Sequence, residues 1–250
     1  MADQIMAQDG ALRRSDARSP TSVEKFFRRF RKGCNLIRCS IRYALAGAPR
    51  GVPQLVDFVV GDHFFNALQV PSELTALGGI ISELRPKRAL EIGTAHGGTL
   101  FFLTRLARPS ATIVSVDLPG GRFGGGYGPW RQRFFQRFAR RGQRLHLLRG
   151  DSHSGEMLSR VKAALRGEPL DYLFIDGDHT YEGVKQDFEM YRPLVRSGGI
   201  VALHDIAEHP PAKECEVSEF WSTLKVRFRH REIIENREQG WAGIGVLYVD

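Results

Sequence analysis

The 250-residue sequence predicts an α/β protein built on a Rossmann-like, doubly wound and mostly parallel sheet. From residue 71 onwards, short apolar runs typical of buried strands alternate with longer segments of helical periodicity. Polar or acidic residues follow the ends of these runs, as in open α/β sheets with a ligand site at one edge. The last two β-like runs leave no room for a helix between them. We therefore predict seven strands with a final antiparallel strand, preceded by an N-terminal helical extension.

Each element follows from its local pattern. Pro71 opens a helix with a regular apolar face, since proline suits the first turn of a helix. The strands are expected at residues 88–92, 113–116, 145–148, 172–175, 200–203, 228–234 and 244–249. The helices are expected at residues 71–84, 97–107, 130–141, 153–166, 180–194 and 217–224.

The positive charge is concentrated at the N-terminus. Residues 1–50 hold eleven Lys/Arg against four Asp/Glu, which is +7 of the chain's net charge of +8. Residues 1–20 are polar and without periodicity, which predicts a disordered leader. Residues 21–68 are predicted as a basic amphipathic helical extension, because apolar side chains recur every three or four positions from Val23 to Ile41. Residues 69–250 form the predicted catalytic domain.

Three roles stay open for the extension. The first is packing on the catalytic domain or at a homo-oligomer interface. The second is peripheral membrane contact by residues 21–45. The third is nucleic-acid binding, which we expect least. No apolar run approaches 18 residues, and the N-terminus has no hydrophobic segment of the signal-peptide kind. The three cysteines show no C-x-x-C spacing. We therefore expect a cytoplasmic protein with reduced thiols.

The most informative motif is the stretch ALEIGTAHGGTL, residues 89–100. An apolar strand ends in Glu91 and turns through Gly93, Gly97 and Gly98 into a helix, which suits close approach of the backbone to a ligand. The glycine spacing is not the G-x-G-x-x-G of dinucleotide sites, and no Lys-Ser/Thr pair follows as in a P-loop. The pattern E-x-G-x-x-x-G-G resembles motif I of the class I S-adenosylmethionine (SAM) methyltransferases.

Further polar residues follow the other strands. Asp117 closes the second strand, where a carboxylate can accept both hydroxyls of a ribose. Asp151 follows the third strand. The resemblance implies that it contacts the adenine there, and the alternative is that it caps the following helix. Asp176, Asp178 and His179 follow the fourth strand, and His204 and Asp205 follow the fifth. Asp176 and Asp205 can share one hard cation, with His204 or Asp178 as a third ligand.

From about Gln69 to Asp205 the chain resembles the methyltransferase family that includes macrolide-sugar O-methyltransferases and cephalosporin-hydroxylase-like proteins. The resemblance implies SAM as the cofactor, a metal site for Mg²⁺ or Mn²⁺ at Asp176, His204 and Asp205, and catalysis by His179 as general base with Asp176. His204 stands where metal-dependent relatives have Glu, which favours a softer ion or no ion. The implied cofactor-binding residues are Glu91, Gly93, Thr94, Gly97, Gly98, Asp117, Leu118, Asp151, Ser152 and Asp176.

The loop at residues 117–130 contains six glycines together with Arg122, Phe123, Tyr127 and Trp130. Glycine-rich loops of this length persist mostly as ligand clamps, so we expect a lid, with a plain surface loop as the alternative. The leading hypothesis is SAM-dependent O-methylation of a hydroxylated small molecule such as a sugar or polyketide. The alternatives are a nucleic-acid methyltransferase anchored by the basic leader, although no Asn/Asp-Pro-Pro-Tyr-type motif is present, and a non-catalytic SAM-binding protein.

Overall fold

The computed structural model describes residues 51–61, 66–123 and 125–250. The predictions for the leader at residues 1–20 and for the basic helix at residues 21–45, including its membrane, nucleic-acid and oligomer contacts, lie outside the described residues. Within the described ranges, no helix is long and apolar enough to cross a membrane.

A single seven-stranded sheet organises these residues, in the order β3-β2-β1-β4-β5-β7-β6. The strands β1 to β5 pair in parallel, and β7 pairs antiparallel with both β5 and β6. The predicted fold class is therefore confirmed. The strands are β1 (Arg88–Ile92), β2 (Thr112–Asp117), β3 (Arg144–Arg149), β4 (Leu170–Ile175), β5 (Val195–His204), β6 (His230–Ile233) and β7 (Ile244–Tyr248).

Helices cover both faces of the sheet, as the alternation of β and α segments predicts. They are α1 (Val52–Val60), α2 (Pro71–Leu84), α3 (Gly98–Leu106), α4 (Pro129–Phe135), α5 (Gly155–Ala164), α6 (Tyr181–Tyr191) and α7 (Val217–Leu224). The helix α1 lies inside the segment predicted as an extension, and its Phe58 packs on Phe101 of α3 with ring centroids 5.4 Å apart.

The helix α4 is shorter than the predicted span of 130–141. A 3₁₀ turn at Gln136–Phe138 follows it, and the chain then turns toward β3. The side chain of Gln143 accepts a hydrogen bond from the backbone N–H of Arg140, and Gly142 adopts a φ of 93°, a conformation that favours glycine. Local turn chemistry therefore ends the helix early.

The central strands β2 and β4 are buried along their whole length. Such continuous apolar strands are typical of a parallel sheet covered on both faces. The strand order reverses between β1 and β4, the place where open α/β sheets form a ligand crevice. Gly93 lets the ends of these strands approach, since a Cβ there would lie 1.8 Å from the carbonyl oxygen of Asp176.

Candidate active site

A cavity of about 620 Å³ opens at the carboxyl ends of β1, β2, β4 and β5. Its size falls within the roughly 300–1,000 Å³ that is usual for small-molecule sites. Among the predicted residues that line it are Gly93, Asp117, Leu118, Asp151, Ser152, Asp176, His179, His204 and Asp205. The folded chain therefore brings both the acids predicted for a nucleoside and the Asp/His cluster to one cavity.

Asp117 holds the turn between β1 and α3 as well as the glycine-rich loop. Its Oδ2 accepts a hydrogen bond from the backbone N–H of Ala95 at 2.7 Å, and its Oδ1 accepts one from Gly126 at 2.7 Å. Burial raises the pKa of the Asp117 carboxyl to about 6, although these N–H groups work to lower it. The carboxylate is therefore ionised at neutral pH but close to its titration range.

Asp151 and Ser152 begin the turn between β3 and α5, at the side of the cavity next to Asp117. The Oδ1 of Asp151 accepts a hydrogen bond from the backbone N–H of His153 at 2.9 Å. His153 lies half-buried in this turn and lines the cavity. Its Nε2 is 3.3 Å from Oδ1 of the fully buried Asp187, whose hydrogen bond raises the pKa of His153.

The Asp/His cluster joins the ends of β4 and β5. The Nδ1 of His204 lies 3.1 Å from Oδ1 of Asp176 and 3.3 Å from Oδ1 of Asp205. Burial works to lower the pKa of His204, but the two carboxylates raise it well above its usual value. In return, the His204 charge lowers the pKa of Asp176 and of Asp205 against the effect of burial.

His179 lies between the same two carboxylates. Its Nδ1 is 3.3 Å from Oδ2 of Asp205, and its Nε2 is 3.7 Å from Oδ1 of Asp176. Burial works to lower the pKa of His179, but the hydrogen bond and charge of Asp176, together with Cys215 and Asp205, raise it to about 10. The sequence predicted a base titrating near neutrality. In this structure the paired carboxylates instead hold a proton on the imidazole at neutral pH.

The chemistry of the ligand atoms determines which metal ion the Asp/His cluster can hold. Ligand atoms of Asp176, His204 and Asp205 all lie within 4.8 Å of one another, and a second set of His179, Asp205 and Cys215 does so too. Two carboxylates and an imidazole can hold a divalent cation, and the nitrogen donor favours Mn²⁺ or Zn²⁺ over Mg²⁺, which prefers oxygen ligands alone. The residues present therefore fit a borderline transition metal better than a hard ion.

Four predicted cofactor residues do not line this cavity. Thr94 is buried behind it, where its hydroxyl lies 2.5 Å from that of Ser115. Gly97 and Gly98 serve packing, because a Cβ would lie 2.7 Å from the Phe135 ring at position 97 and 2.1 Å from the backbone nitrogen of Ala67 at position 98.

Glu91 is the fourth. Its side chain is 1% exposed and lies on the opposite face of β1 among apolar residues of α2 and α3, including Leu77 and Phe102. Burial raises the pKa of its carboxyl to about 8, with the hydroxyls of Thr94 and Thr99 as nearby polar groups. The structure therefore places a neutral carboxyl of Glu91 outside the lining of this cavity.

Sequence reasoning missed three residues of the site. Gln69 donates from Nε2 to Oδ2 of Asp176 at 2.8 Å across 107 positions, and Trp241 lines the cavity from the segment between β6 and β7. The Nε2 of His209 lies 3.3 Å from Oδ1 of Asp205. Gln69 and Trp241 reach the site from segments far from it in sequence, so no local pattern indicates them, whereas His209 lies only four positions after Asp205.

The glycine-rich loop covers one wall of the cavity. Leu118, Gly121, Arg122, Phe123 and Gly125 line it, and the Phe123 ring stacks on the imidazole of His179. Arg122 forms an ion pair with Glu214. The predicted position of the loop over the site therefore agrees with the structure, whereas its movement as a lid stays a prediction.

Comparisons with known proteins show which proteins this chain resembles. Residues 90–206 match the family model described as a methyltransferase domain. An uncharacterized protein y4gI of Sinorhizobium fredii is 26% identical over 136 residues, which cover 52% of this chain but 14% of that protein. The chain thus spans only a small part of that curated relative.

Two solved structures share the fold. The O-methyltransferase TomG from Streptomyces achromogenes, in complex with SAM, is 18% identical with a TM-score of 0.56, covering 80% of this chain and 90% of its own. The methyltransferase MycE of the mycinamycin pathway, in complex with Mg, S-adenosylhomocysteine (SAH) and mycinamycin VI, is 18% identical with a TM-score of 0.53, covering 80% and 55%.

The chain therefore has the Rossmann-like fold of these methyltransferase structures, with a cavity at the switch point of its sheet. Residues 90–206, somewhat less than half of the chain, are the segment that resembles a methyltransferase domain.

Proposed function

We propose that this protein transfers the methyl group of SAM to a hydroxyl of a small molecule, with His179 as the base. The observation that carries the proposal is a single cavity with Asp117 and Asp151 at one side and His179 between two carboxylates at the other. The first side suits the hydroxyls of a ribose, and the second suits a hydroxyl that must lose a proton. TomG is an O-methyltransferase, and MycE is a methyltransferase seen with SAH and mycinamycin VI, which supports this chemistry.

In the proposed site the nucleoside of SAM lies beside Asp117, Leu118, Asp151 and Ser152, with Gly93 and Asp176 under the methionyl portion. SAM supplies a methyl group on a positively charged sulfur. The acceptor hydroxyl lies next to His179, where the acceptor contacts or displaces Phe123, and its oxygen forms the new bond to the methyl carbon as the carbon–sulfur bond breaks. His179 takes the hydroxyl proton, so that a methyl ether and SAH are formed and the proton stays on the imidazole.

The proposal requires an imidazole of His179 that is not already protonated when the acceptor binds. Asp176 and Asp205 hold its proton when no metal ion is bound to them. A positive charge near these carboxylates weakens their attraction for the imidazolium and lowers the pKa of His179 toward the working range of a base. A divalent metal at Asp176, His204 and Asp205 would supply such a charge and fix the acceptor oxygen.

The rim of the cavity indicates the acceptor class. The side chains of Leu68 and Trp241 are 55% and 44% exposed, although both line the cavity, and Phe123 covers His179. Exposed large apolar groups around a polar centre favour an acceptor with an apolar or ring-shaped body and a hydroxyl. We propose a glycosylated or polyketide-like metabolite, and not a free phosphate ester or a small charged acid.

The test is methyl transfer from radiolabelled SAM to a panel of hydroxylated acceptors. We expect transfer by the wild type and a loss of roughly 10²–10⁴-fold in kcat for His179→Gln. His146→Gln is the matched control, because His146 is a half-buried histidine of the edge strand β3. SAM binding without transfer to any hydroxyl would instead support the non-catalytic alternative. Transfer to nucleic acid with a steep salt dependence would support the nucleic-acid alternative.

A further inference from the structure

Gln69 is a buried polar residue that the proposed mechanism does not use. It lies two residues before the start of α2, is 4% exposed and lines the cavity together with Gly93 and Asp176. Its Nε2 donates a hydrogen bond of 2.8 Å to Oδ2 of Asp176. The residue is therefore tied to the centre of the site, where β1 and β4 end side by side.

This hydrogen bond fixes the orientation of the amide. A carboxylate only accepts hydrogen bonds, so the NH₂ group of Gln69 must face Asp176 and the carbonyl oxygen Oε1 must face away from it. The Oε1 atom is buried and has no hydrogen-bond partner in the part of the chain that the structure describes. A buried amide oxygen without a donor is unfavourable, and Gln69 lines the cavity, where a ligand can supply the donor.

The donor follows from where the parts of SAM lie in the proposed function, on which this inference rests. The ribose hydroxyls and the adenine amino group belong to the side of Asp117 and Asp151, and the sulfonium carries no hydrogen-bond donor. The remaining donor is the α-ammonium of the methionyl portion, on the side of Gly93 and Asp176. Asp176 and the Oε1 dipole of Gln69 together make this corner favourable for a cation.

We propose that Gln69 is a cofactor-binding residue whose Oε1 accepts a hydrogen bond from the α-ammonium of SAM while its Nε2 positions Asp176. The amide thereby couples cofactor binding to the orientation of the carboxylate beside His179. The residue discriminates SAM from adenosine derivatives that lack the amino group.

Calorimetric titration with two ligands tests this assignment. The ligands are SAH and its deamino analogue, in which hydrogen replaces the amino group, and the proteins are wild type and Gln69→Leu. Hydrogen bonds to charged groups predict that Gln69→Leu weakens SAH binding roughly 10-fold or more and weakens the analogue less than about twofold. Gln132→Leu is the control, since Gln132 donates to the carbonyl oxygen of Leu147 beside β3 and does not line the cavity.

An equal loss of affinity for both ligands would overturn the proposal, because the amide would then act on the cofactor only through packing or through Asp176. Unchanged SAH affinity would also overturn it and would assign the donor to the acceptor or an ion. If Gln69→Leu does not fold, Gln69→Asn replaces it, because the shorter amide cannot span both partners. Failure of the wild type to bind SAH at all would contradict the proposed function itself, and so the two failures are distinguishable.

Discussion

The ring of Phe123 lies nearly parallel to the imidazole of His179, with centroids 4.8 Å apart and an interplanar angle of 16°. The phenyl ring comes from the glycine-rich loop after β2, and the histidine comes from the turn after β4. Neighbouring Arg122 pairs with Glu214, which ties the same loop to the segment after β5. An acceptor that gives its proton to His179 must therefore contact or displace Phe123.

Phe123→Ala should weaken acceptor binding and leave the cofactor largely unaffected. Loss of one aromatic contact predicts a rise of roughly 3- to 10-fold in KM for the acceptor. The Kd for SAM should change less than about twofold, because Phe123 contacts His179 and not Asp117. Steady-state kinetics and SAM titration measure the two effects, with Phe123→Tyr as a control that keeps the ring. An equal loss of SAM and acceptor affinity would show that the ring covers the cofactor instead.

SAM affinity should fall as the pH drops through 6. Burial raises the pKa of Asp117 to about 6, and protonation removes the carboxylate that we propose as the acceptor for the ribose hydroxyls. Below pH 6 the affinity should therefore decrease by up to roughly tenfold per pH unit, and above pH 7 it should be constant. Titration of SAH between pH 5 and 8 measures the slope.

Asp117→Asn is the matched variant for this pH profile. Its SAH affinity should be lower than that of the wild type by roughly 10- to 100-fold at pH 7.5 and should lose the inflection near pH 6. An inflection that persists in the variant would assign the titration to another group, such as His153.

Glu91→Gln should stabilise the fold at alkaline pH without weakening SAM binding. The pKa of Glu91 is raised to about 8 from its ordinary 4.5, so between these values the folded state keeps a proton that the unfolded state has lost. The free energy of unfolding of the wild type therefore falls as pH rises from 4.5 to 8, whereas Gln carries no such cost. At pH 8.5 the variant should be more stable by roughly 1–3 kcal/mol, and at pH 4.5 the two should be similar.

Chemical denaturation at the two pH values measures this difference, and SAH titration completes the test. The family resemblance implies that Glu91 binds the cofactor, whereas its burial behind β1 predicts a change in SAH affinity below about threefold. A large loss of affinity in Glu91→Gln would favour the sequence-based assignment over the structural one.

His204→Glu should change the preferred metal. The imidazole contributes a nitrogen between Asp176 and Asp205, and a third carboxylate would create the oxygen-only set that Mg²⁺ prefers. Mg²⁺ affinity should therefore rise roughly tenfold, about 1.4 kcal/mol, relative to the wild type, while the preference for Zn²⁺ decreases. Metal titration monitored by calorimetry, with Asp205→Asn as a variant expected to weaken both ions, tests this. Unchanged Mg²⁺ affinity in His204→Glu would show that no metal occupies this cluster.

The sequence predicted the fold well because strands, helices and turns follow from short local patterns of residues. An apolar run such as Tyr172–Ile175 indicates a buried strand without reference to distant residues. In the same way, the glycine at position 93 indicates a tight turn. The bounds of α2 agree with the predicted 71–84, since Pro71 defines the start. The early end of α4 depends on the side chain of Gln143, which no periodicity reveals.

The site was predictable only where its residues follow strands directly. Asp117, Asp176 and Asp205 reach the cavity because parallel strands end at one edge. Which face of a strand a residue occupies was harder to predict. Ile92 lines the cavity and Glu91 does not, although they are neighbours. The raised pKa of His179 could not be predicted from the sequence either, because it depends on two carboxylates 3.3 and 3.7 Å away.

Calorimetric titration of SAM into the wild type and Asp117→Asn, first in EDTA and then with Mn²⁺, tests the central claim most directly. We expect one SAM bound per chain, weaker binding in the variant, and a change in SAM affinity when Mn²⁺ replaces EDTA. Absence of SAM binding to the wild type under both conditions would contradict the assignment of the cavity, and with it the proposed methyl transfer.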